Sequence, residues 1–436
     1  MTVNLAPADL KKAGPTYDLP IAVGILMASN QVFADVGDAL IVGDVPGRHR
    51  PAHARHHFHG FAGRSEGIAA GICSIDDAPE AALIEGLDVF AIHTLAELVN
   101  HLNDEVPVGP YVAGPLSEPA SASLLTDFAE IKGRNAVKRA LEIAAAGAHN
   151  ALMTGPPGSG KTMLARAMPT ILPEMTIQEA LEVTRIRCRF LRTLPCWGGR
   201  FALITVRAMP DWSAAGHGPA RVGSVWLSRC VLFLDELPEF AASTLEMLRQ
   251  PLEDRRVSLA RASGTVTFPA NFMLIASMNP CVTGQRRSGS SVPLWQSGRP
   301  LPEKISGPLI DRIDIHVEVP RVEYDKLASN RAGEGSAAIR SRVEAARRRQ
   351  SERLADTAML TNADMGSREI SAFVQLDEQG QRMMKAAVQQ LHLSPRGYHR
   401  VLKLARTIAD LEGLDGVLAS HVAEALQYRP RTLPVI

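Results

Sequence analysis

Residues 150–168 read NALMTGPPGSGKTMLARAM: an apolar run, a glycine- and proline-rich loop, then a helical segment from Lys161 to Met168. Gly155-Pro156-Pro157-Gly158-Ser159-Gly160-Lys161-Thr162 fills every fixed position of the pattern G-x-x-x-x-G-K-[ST], and its flanks supply the strand and helix that a phosphate-binding loop requires. Pro156 and Pro157 have no N–H, so the backbone donors for phosphate fall between Gly158 and Thr162. The Lys161 ammonium is then directed at the β- and γ-phosphates and the Thr162 hydroxyl at Mg²⁺. ATP and Mg²⁺ are the expected cofactors. An ordinary glycine-rich turn is the competing reading, and it leaves the completeness of the motif unexplained.

Toward the C-terminus, Val231-Leu-Phe-Leu-Asp235-Glu236 is a buried strand running into two carboxylates. Phosphoryl transfer needs one acid for Mg²⁺ and one for the attacking water, roles assigned to Asp235 and Glu236 respectively. A solvated acidic turn is the alternative. Leu274 to Asn279 is a third such strand, whose terminal amide could orient the water opposite Glu236, although Asn-Pro is also a common turn. Strands that end in polar residues predict a parallel sheet with its function at the strand C-termini, hence an α/β architecture.

A helix is expected from Ala136 to Ala146. Beyond Pro320 the chain reads as helical, through an Arg-rich stretch at Arg340–Arg353 and a C-terminal helix with Val401, Leu404, Ala405 and Ile408 three and four apart, stopped by Gly413. At the other end stand a strand-like VNL, an apolar run from Leu19 to Ala28 and a strand from Asp88 to Ile92. A helix follows whose start shows in the capping-box spacing of Thr94 and Glu97. Four prolines between Asn103 and Ala120 suit an extended connector. The expected divisions are 1–102 for an N-terminal domain, 103–125 for a linker, 126–325 for the nucleotide-binding core and 326–436 for a helical lid.

The 436 residues allow two or three domains at about 150 residues each. A formal charge of +1 excludes a polybasic coat, so nucleic-acid contacts must come from local clusters. The apolar run Ile21–Ala28 is far short of the ~20 residues of a membrane span, and the N-terminus lacks the layout of a signal peptide. A cytoplasmic protein without membrane partners is expected. Five scattered cysteines without a C-x-x-C pair argue against a disulfide framework.

The succession GPPGSGKT, VLFLDELPEF, LIASMNPC, ISGPLIDRIDIHVEVPRV and LSPRGYHRVLKLARTIADLEG resembles the magnesium-chelatase-like branch of the AAA+ ATPases, and within it the ComM (YifB) competence and recombination proteins. The likeness spans most of the chain. It implies a P-loop NTPase domain with a parallel sheet, a C-terminal helical lid, and a homohexamer that hydrolyses ATP to drive DNA branch migration. By the same resemblance Arg312 is the arginine finger, Arg396 the sensor-2 arginine and Asn279 sensor 1. Read alone, Arg312 could equally pair with Asp311 or Asp314, and Arg396 could be a solvated residue at a helix start. Asp127, Phe128, Ile131 and Gly133 resemble the segment that seats the adenine. A metal-insertion motor of the magnesium-chelatase type and an inactive nucleotide-binding remnant are the other readings.

VNLAPADLKKAGPTYDLPIAVGIL is similar to the central stretch of the family's ribosomal-S5-like, Lon-protease-like α+β domain, and by that resemblance only part of the domain is expected here. In Lon-type proteases the nucleophilic serine follows Gly-Pro; here Gly14-Pro15 precedes Thr16, Tyr17 and Asp18, so peptidase activity is not expected. Three tracts, 44–75, 187–229 and 282–303, break the resemblance between intact flanks. They hold all four tryptophans, and between Arg185 and Arg229 eight arginines stand against one acid, Asp211. Their abrupt edges suggest compensated reading-frame slips, with loop divergence as the alternative; the coding DNA decides between them. The family's FRAPHHT and GGG-type segment, implicated in reaching DNA, would fall in the second tract. His53, His56, His57 and His59 have no regularly spaced partners, so a solvated loop is preferred there to a metal site.

Overall fold

In a computed structural model the described residues are 18–41, 43, 70–75, 78–82, 86–112, 126–174, 203–207, 231–261, 264–279, 305, 307–321, 333–357 and 359–429. They fall into two compact units, one within Met1–Pro119 and one within Ala120–Met175 and Arg200–Ile436. The VNL strand, the Gly14-Pro15 turn, the histidine-rich loop and most of the three aberrant tracts lie outside the described residues.

The first unit contains α1 (Asp18–Ala28), β1 (Ala39–Ile41), β2 (Ala70–Ser74), α2 (Ala78–Ala81), β3 (Asp88–Ile92) and α3 (Leu95–Leu102). The three strands run parallel in the order β1–β2–β3. The apolar run of the sequence is thus the helix α1, whose Leu19 and Val23 pack with Ile72, Ile92 and Leu98. At α3 the Thr94 hydroxyl accepts from the Glu97 N–H at 3.1 Å. The Glu97 carboxylate reaches the N–H of His93 rather than that of Thr94.

The second unit opens with α4 (Asn135–Gly147), β4 (Ala151–Thr154) and α5 (Lys161–Ala167). It continues through β5 (Leu203–Arg207), β6 (Val231–Asp235), α6 (Ala242–Met247), α7 (Arg249–Asp254), β7 (Arg256–Arg261), β8 (Gly264–Pro269), β9 (Met273–Met278), α8 (Gly307–Ile310) and β10 (Ile315–Glu318). Helices complete it: α9 (Ser336–Arg353), α10 (Ser367–Phe373), α11 (Glu378–Gln390), α12 (Pro395–Glu412) and α13 (Ala419–Gln427). Five strands form an all-parallel sheet in the order β10–β4–β9–β6–β5, and β7 and β8 form a separate antiparallel hairpin.

The alternation along these strands assigns each side chain to a face. Met153, Phe233, Ile275 and Ile315 join one apolar cluster with α4 and the C-terminal helices. Leu152, Leu232, Leu234, Leu274 and Ala276 join a second with Leu237, Leu245 and Leu309. Because both faces are covered, the strands read in the sequence as continuous apolar runs. Helix α4 ends where Ala148 turns to φ 56°. Its last residue must be glycine, because a Cβ on Gly147 would lie 2.2 Å from the His149 ring.

Two strands of the sheet, β5 and β10, have no counterpart in the sequence reading. β5 lies inside the second aberrant tract, yet residues 203–207 pair in register with Val231–Asp235. Gly413 does stop α12, at φ 81°, but α13 follows it, so α12 is not the last helix. Among the described residues no helix is long and apolar enough to cross a membrane.

Candidate nucleotide site

Because β4, β6 and β9 are parallel neighbours, their C-terminal ends present Gly155, Asp235 and Asn279 at one edge of the sheet. The loop after β4 is tied to its neighbour by the Gly155 N–H, which donates to the Met278 carbonyl at 3.2 Å. Gly158 and Gly160 take φ values of 75° and 82°, the left-handed turn that brings the chain back into α5.

Lys161 is 7% exposed. Its ammonium donates to the carbonyls of Gly155 (2.7 Å) and Pro156 (3.0 Å) and to Oδ1 of Asn279 (2.9 Å). All three acceptors are neutral. Desolvation lowers the lysine's pKa, opposed by the more distant charges of Asp235 and Glu236. With the Ser159 hydroxyl at 3.5 Å as a further neutral partner, a buried cation held by neutral oxygens fits a site built to receive an anion.

Thr162 Oγ1 donates to Oδ2 of Asp235 at 3.2 Å. Hydroxyl and carboxylate together are the hard-oxygen pair that Mg²⁺ takes from a protein while phosphates and water complete its shell. Among the described residues no group of three or more His, Cys, Asp or Glu side chains could hold a metal by itself. The residues therefore fit a metal that arrives with phosphate.

Ser277, fully buried on β9, is a member of the site that the sequence reading missed. Its hydroxyl donates to Oδ1 of Asp235 at 2.7 Å and accepts the Glu236 N–H at 3.1 Å. Glu236 stands at φ 58°, a left-handed conformation that costs a non-glycine residue of order 1 kcal/mol or more. Its side chain is exposed, projecting from the strand end beside Asp235. The only signal for Ser277 in the sequence is one hydroxyl in an otherwise apolar strand.

Arg312 and Arg396 meet elsewhere in the unit, on Glu253 of α7. Arg312 Nη2 pairs with Oε2 and Arg396 Nη2 with Oε1, the latter at 2.7 Å. Arg312 also donates to the Pro308 carbonyl at 2.7 Å. The ion pairs to Asp311 or Asp314 considered for Arg312 are replaced by this shared carboxylate; desolvation raises its pKa, and Arg312, Arg396 and Arg400 together outweigh that and hold it down. Asp314 instead pairs with Arg400 at 3.2 Å and faces His149. In the segment before the P-loop, Phe128 and Ile131 are buried, and Asp127 caps a short turn by accepting from the Ala129 N–H at 2.7 Å and the Ser336 N–H at 3.1 Å.

The family model for magnesium chelatase, subunit ChlI, matches residues 127–327. Its C-terminal counterpart matches 333–429, and a further model for subunit ChlI of Mg-chelatase matches 1–51. Competence protein ComM of Haemophilus influenzae is 37% identical over 444 residues, covering 98% of this chain and 85% of that protein. The uncharacterized proteins YifB of Salmonella typhimurium and Escherichia coli are 35% and 34% identical, each over 98% of this chain and 85% of their own lengths.

Proposed function

Because the chain belongs to the ComM/YifB family of magnesium-chelatase-like AAA+ proteins, we propose that it is an ATPase that uses MgATP to move branched DNA, in keeping with a role in natural transformation and recombination. The observation that carries the ATPase part is the joining of Lys161, Asn279, Thr162, Asp235, Ser277 and Glu236 at one edge of the sheet. In this reading residues 126–325 are the ATPase core and 326–436 the helical lid.

In the proposed reaction the N–H groups from Gly158 to Thr162 cradle the phosphates, and the Lys161 ammonium leaves its carbonyls for the β- and γ-phosphates. Thr162 and Asp235 would hold Mg²⁺, which neutralises charge on the phosphate oxygens. Glu236 accepts a proton from the attacking water and Asn279 orients it. Arg312 supplies a guanidinium to the γ-phosphate of the neighbouring subunit in a homohexamer, and Arg396 serves as the lid's sensor. Glu253 keeps both arginines on one surface and their charges compensated until a phosphate replaces it.

The test is steady-state ATP hydrolysis with and without forked DNA, with Glu236→Gln as the control. Turnover stimulated by DNA and abolished in Glu236→Gln supports the reading. The match to the magnesium chelatase subunit ChlI family favours one rival, a metal-insertion motor, and turnover indifferent to DNA would support that rival instead. Equal silence of both proteins with nucleotide still bound would mark a nucleotide-binding remnant.

A further inference from the structure

Arg134 opens helix α4, the element that precedes the P-loop strand. Its guanidinium lies directly against Gly160: a Cβ placed on that glycine would be 2.6 Å from Nη1 and 3.1 Å from Cζ and Nη2. Gly160 is therefore glycine for two reasons, its φ of 82° and the space the arginine occupies. Arg134 Nε is sealed from solvent with no acceptor. No hydrogen bond or ion pair to its side chain exists among the described residues. Burial lowers its pKa, and no carboxylate opposes the shift.

Arg429, at the end of the C-terminal helices, shares that want of an acceptor at Nε and Nη1, whereas other arginines packed into the unit are paired. Arg406 and Arg353 share Asp410, and Arg400 has Asp314. Arg342 has Glu142 and Glu334. A guanidinium partly removed from water is stabilised when a counter-charge meets its planar donors, and Arg134 has none among the described residues. It stands one residue from Lys161, the second cation here whose contacts are all neutral.

We propose that Arg134 is a phosphate-binding residue of the nucleotide site, acting on the P-loop of its own subunit. The inference rests on the ATP reading above and deepens it. The oxygens of a bound polyphosphate supply the acceptors that Arg134 lacks, and the fork of the guanidinium suits two of them at once. Two cations of different geometry then flank the loop: Lys161 as a point charge reached from α5, Arg134 as a planar clamp reached from α4.

The test is titration of the full chain with fluorescently labelled ATP and ADP in Mg²⁺, for wild type, Arg134→Ala and Arg134→Lys, alongside thermal unfolding of each with and without nucleotide. Loss of a charge-assisted hydrogen bond predicts ATP affinity lower by about 10- to 100-fold in Arg134→Ala, with Lys recovering part of it. Without nucleotide, Arg134→Ala should melt no lower than wild type, because an uncompensated, half-buried charge has been removed. Its Tm should rise less on adding ATP. Wild-type binding with Arg134→Ala within twofold of it overturns the inference and leaves the ATP reading intact, whereas a wild type that binds neither nucleotide overturns both. An ATP-free Tm well below wild type with unchanged affinity assigns Arg134 a purely structural part and overturns the inference as well.

Discussion

Replacing Ser277 by Ala removes one hydroxyl that serves both acidic residues of the proposed site. The hydrogen bond from Ser277 Oγ to the Asp235 carboxylate, at 2.7 Å, has a charged acceptor and contributes roughly 1.5–3 kcal/mol. The bond it accepts from the Glu236 N–H, at 3.1 Å, is neutral and contributes roughly 0.5–1.5 kcal/mol. Together they amount to about 2–4.5 kcal/mol. The second has a particular target, since it pins the backbone of a residue held at φ 58°, which otherwise relaxes toward an ordinary turn. If the whole effect falls on the transition state, kcat decreases by about 30- to 2,000-fold, at 1.36 kcal/mol per factor of ten. Nucleotide affinity should change much less, because Ser277 makes no contact with the backbone donors of the P-loop or with the Lys161 ammonium. The assay pairs kcat and KM for MgATP with urea unfolding of the same preparations. Turnover within threefold of wild type, whatever the change in stability, would refute the idea that Ser277 sets the geometry of Glu236.

Glu236→Gly should raise stability by about 1 kcal/mol through release of the left-handed strain, while hydrolysis falls about 10²- to 10⁴-fold; urea unfolding and ATP turnover check the two halves separately. Arg312→Ala and Lys161→Ala proteins should each be inactive, and a 1:1 mixture should regain turnover because each supplies what the other lacks at a shared boundary; a mixture as silent as its components would place Arg312 in its own subunit's site or nowhere in the reaction. Asp410→Ala strands Arg406 and Arg353 in the interior of the helical region, and should cost about 3–5 kcal/mol in chemical denaturation. His316 is half-buried, with its Nε2 sealed, and burial beside Arg429 and Arg400 outweighs Asp314 and lowers its pKa to about 4. Since the unfolded imidazole titrates near 6.5, the unfolded chain binds the proton first. Stability is therefore full above pH 6.5 and is lost as pH falls toward 4. Between pH 6.5 and 5 this amounts to at most about 2 kcal/mol, and His316→Gln should flatten that part of the curve.

The P-loop and the ends of β6 and β9 were legible in the sequence because local chemistry specifies them: glycines at the turn, a complete motif, apolar runs broken by acid or amide. β10 was not, because Ile315-His316-Val317-Glu318 reads as an ordinary short alternation, and only pairing with Ala151–Thr154 makes it the edge strand of the sheet. β5 was hidden for a different reason. Its tract has an alien composition, yet LITVR carries enough β-branched character to pair beside β6. The apolar run at Leu19–Ala28 has no period that separates helix from buried strand, so its helical state emerges only from packing on β2 and β3. Ser277, Glu253 and Arg134 were invisible on the same principle: each acquires its role from a residue tens of positions away.

The two arginines assigned by resemblance are tied to the P-loop strand through a few buried polar groups. Asn150, the residue before β4, accepts the Leu274 N–H of β9 on its side-chain oxygen at 2.9 Å and donates from Nδ2 to the Arg312 carbonyl at 3.3 Å. Its own N–H donates to Asp314, which also receives Arg400, one helical turn beyond Arg396 on α12. His149, fully buried beside Asn150, reaches Thr407 on that same helix at 2.8 Å. The backbone of Arg312 and the helix of Arg396 are therefore both referenced to the start of the strand that delivers the phosphate loop. The unit thus has two ends: the candidate nucleotide site at the C-terminal edge of the sheet, and an arginine pair anchored at the opposite ends of the same strands.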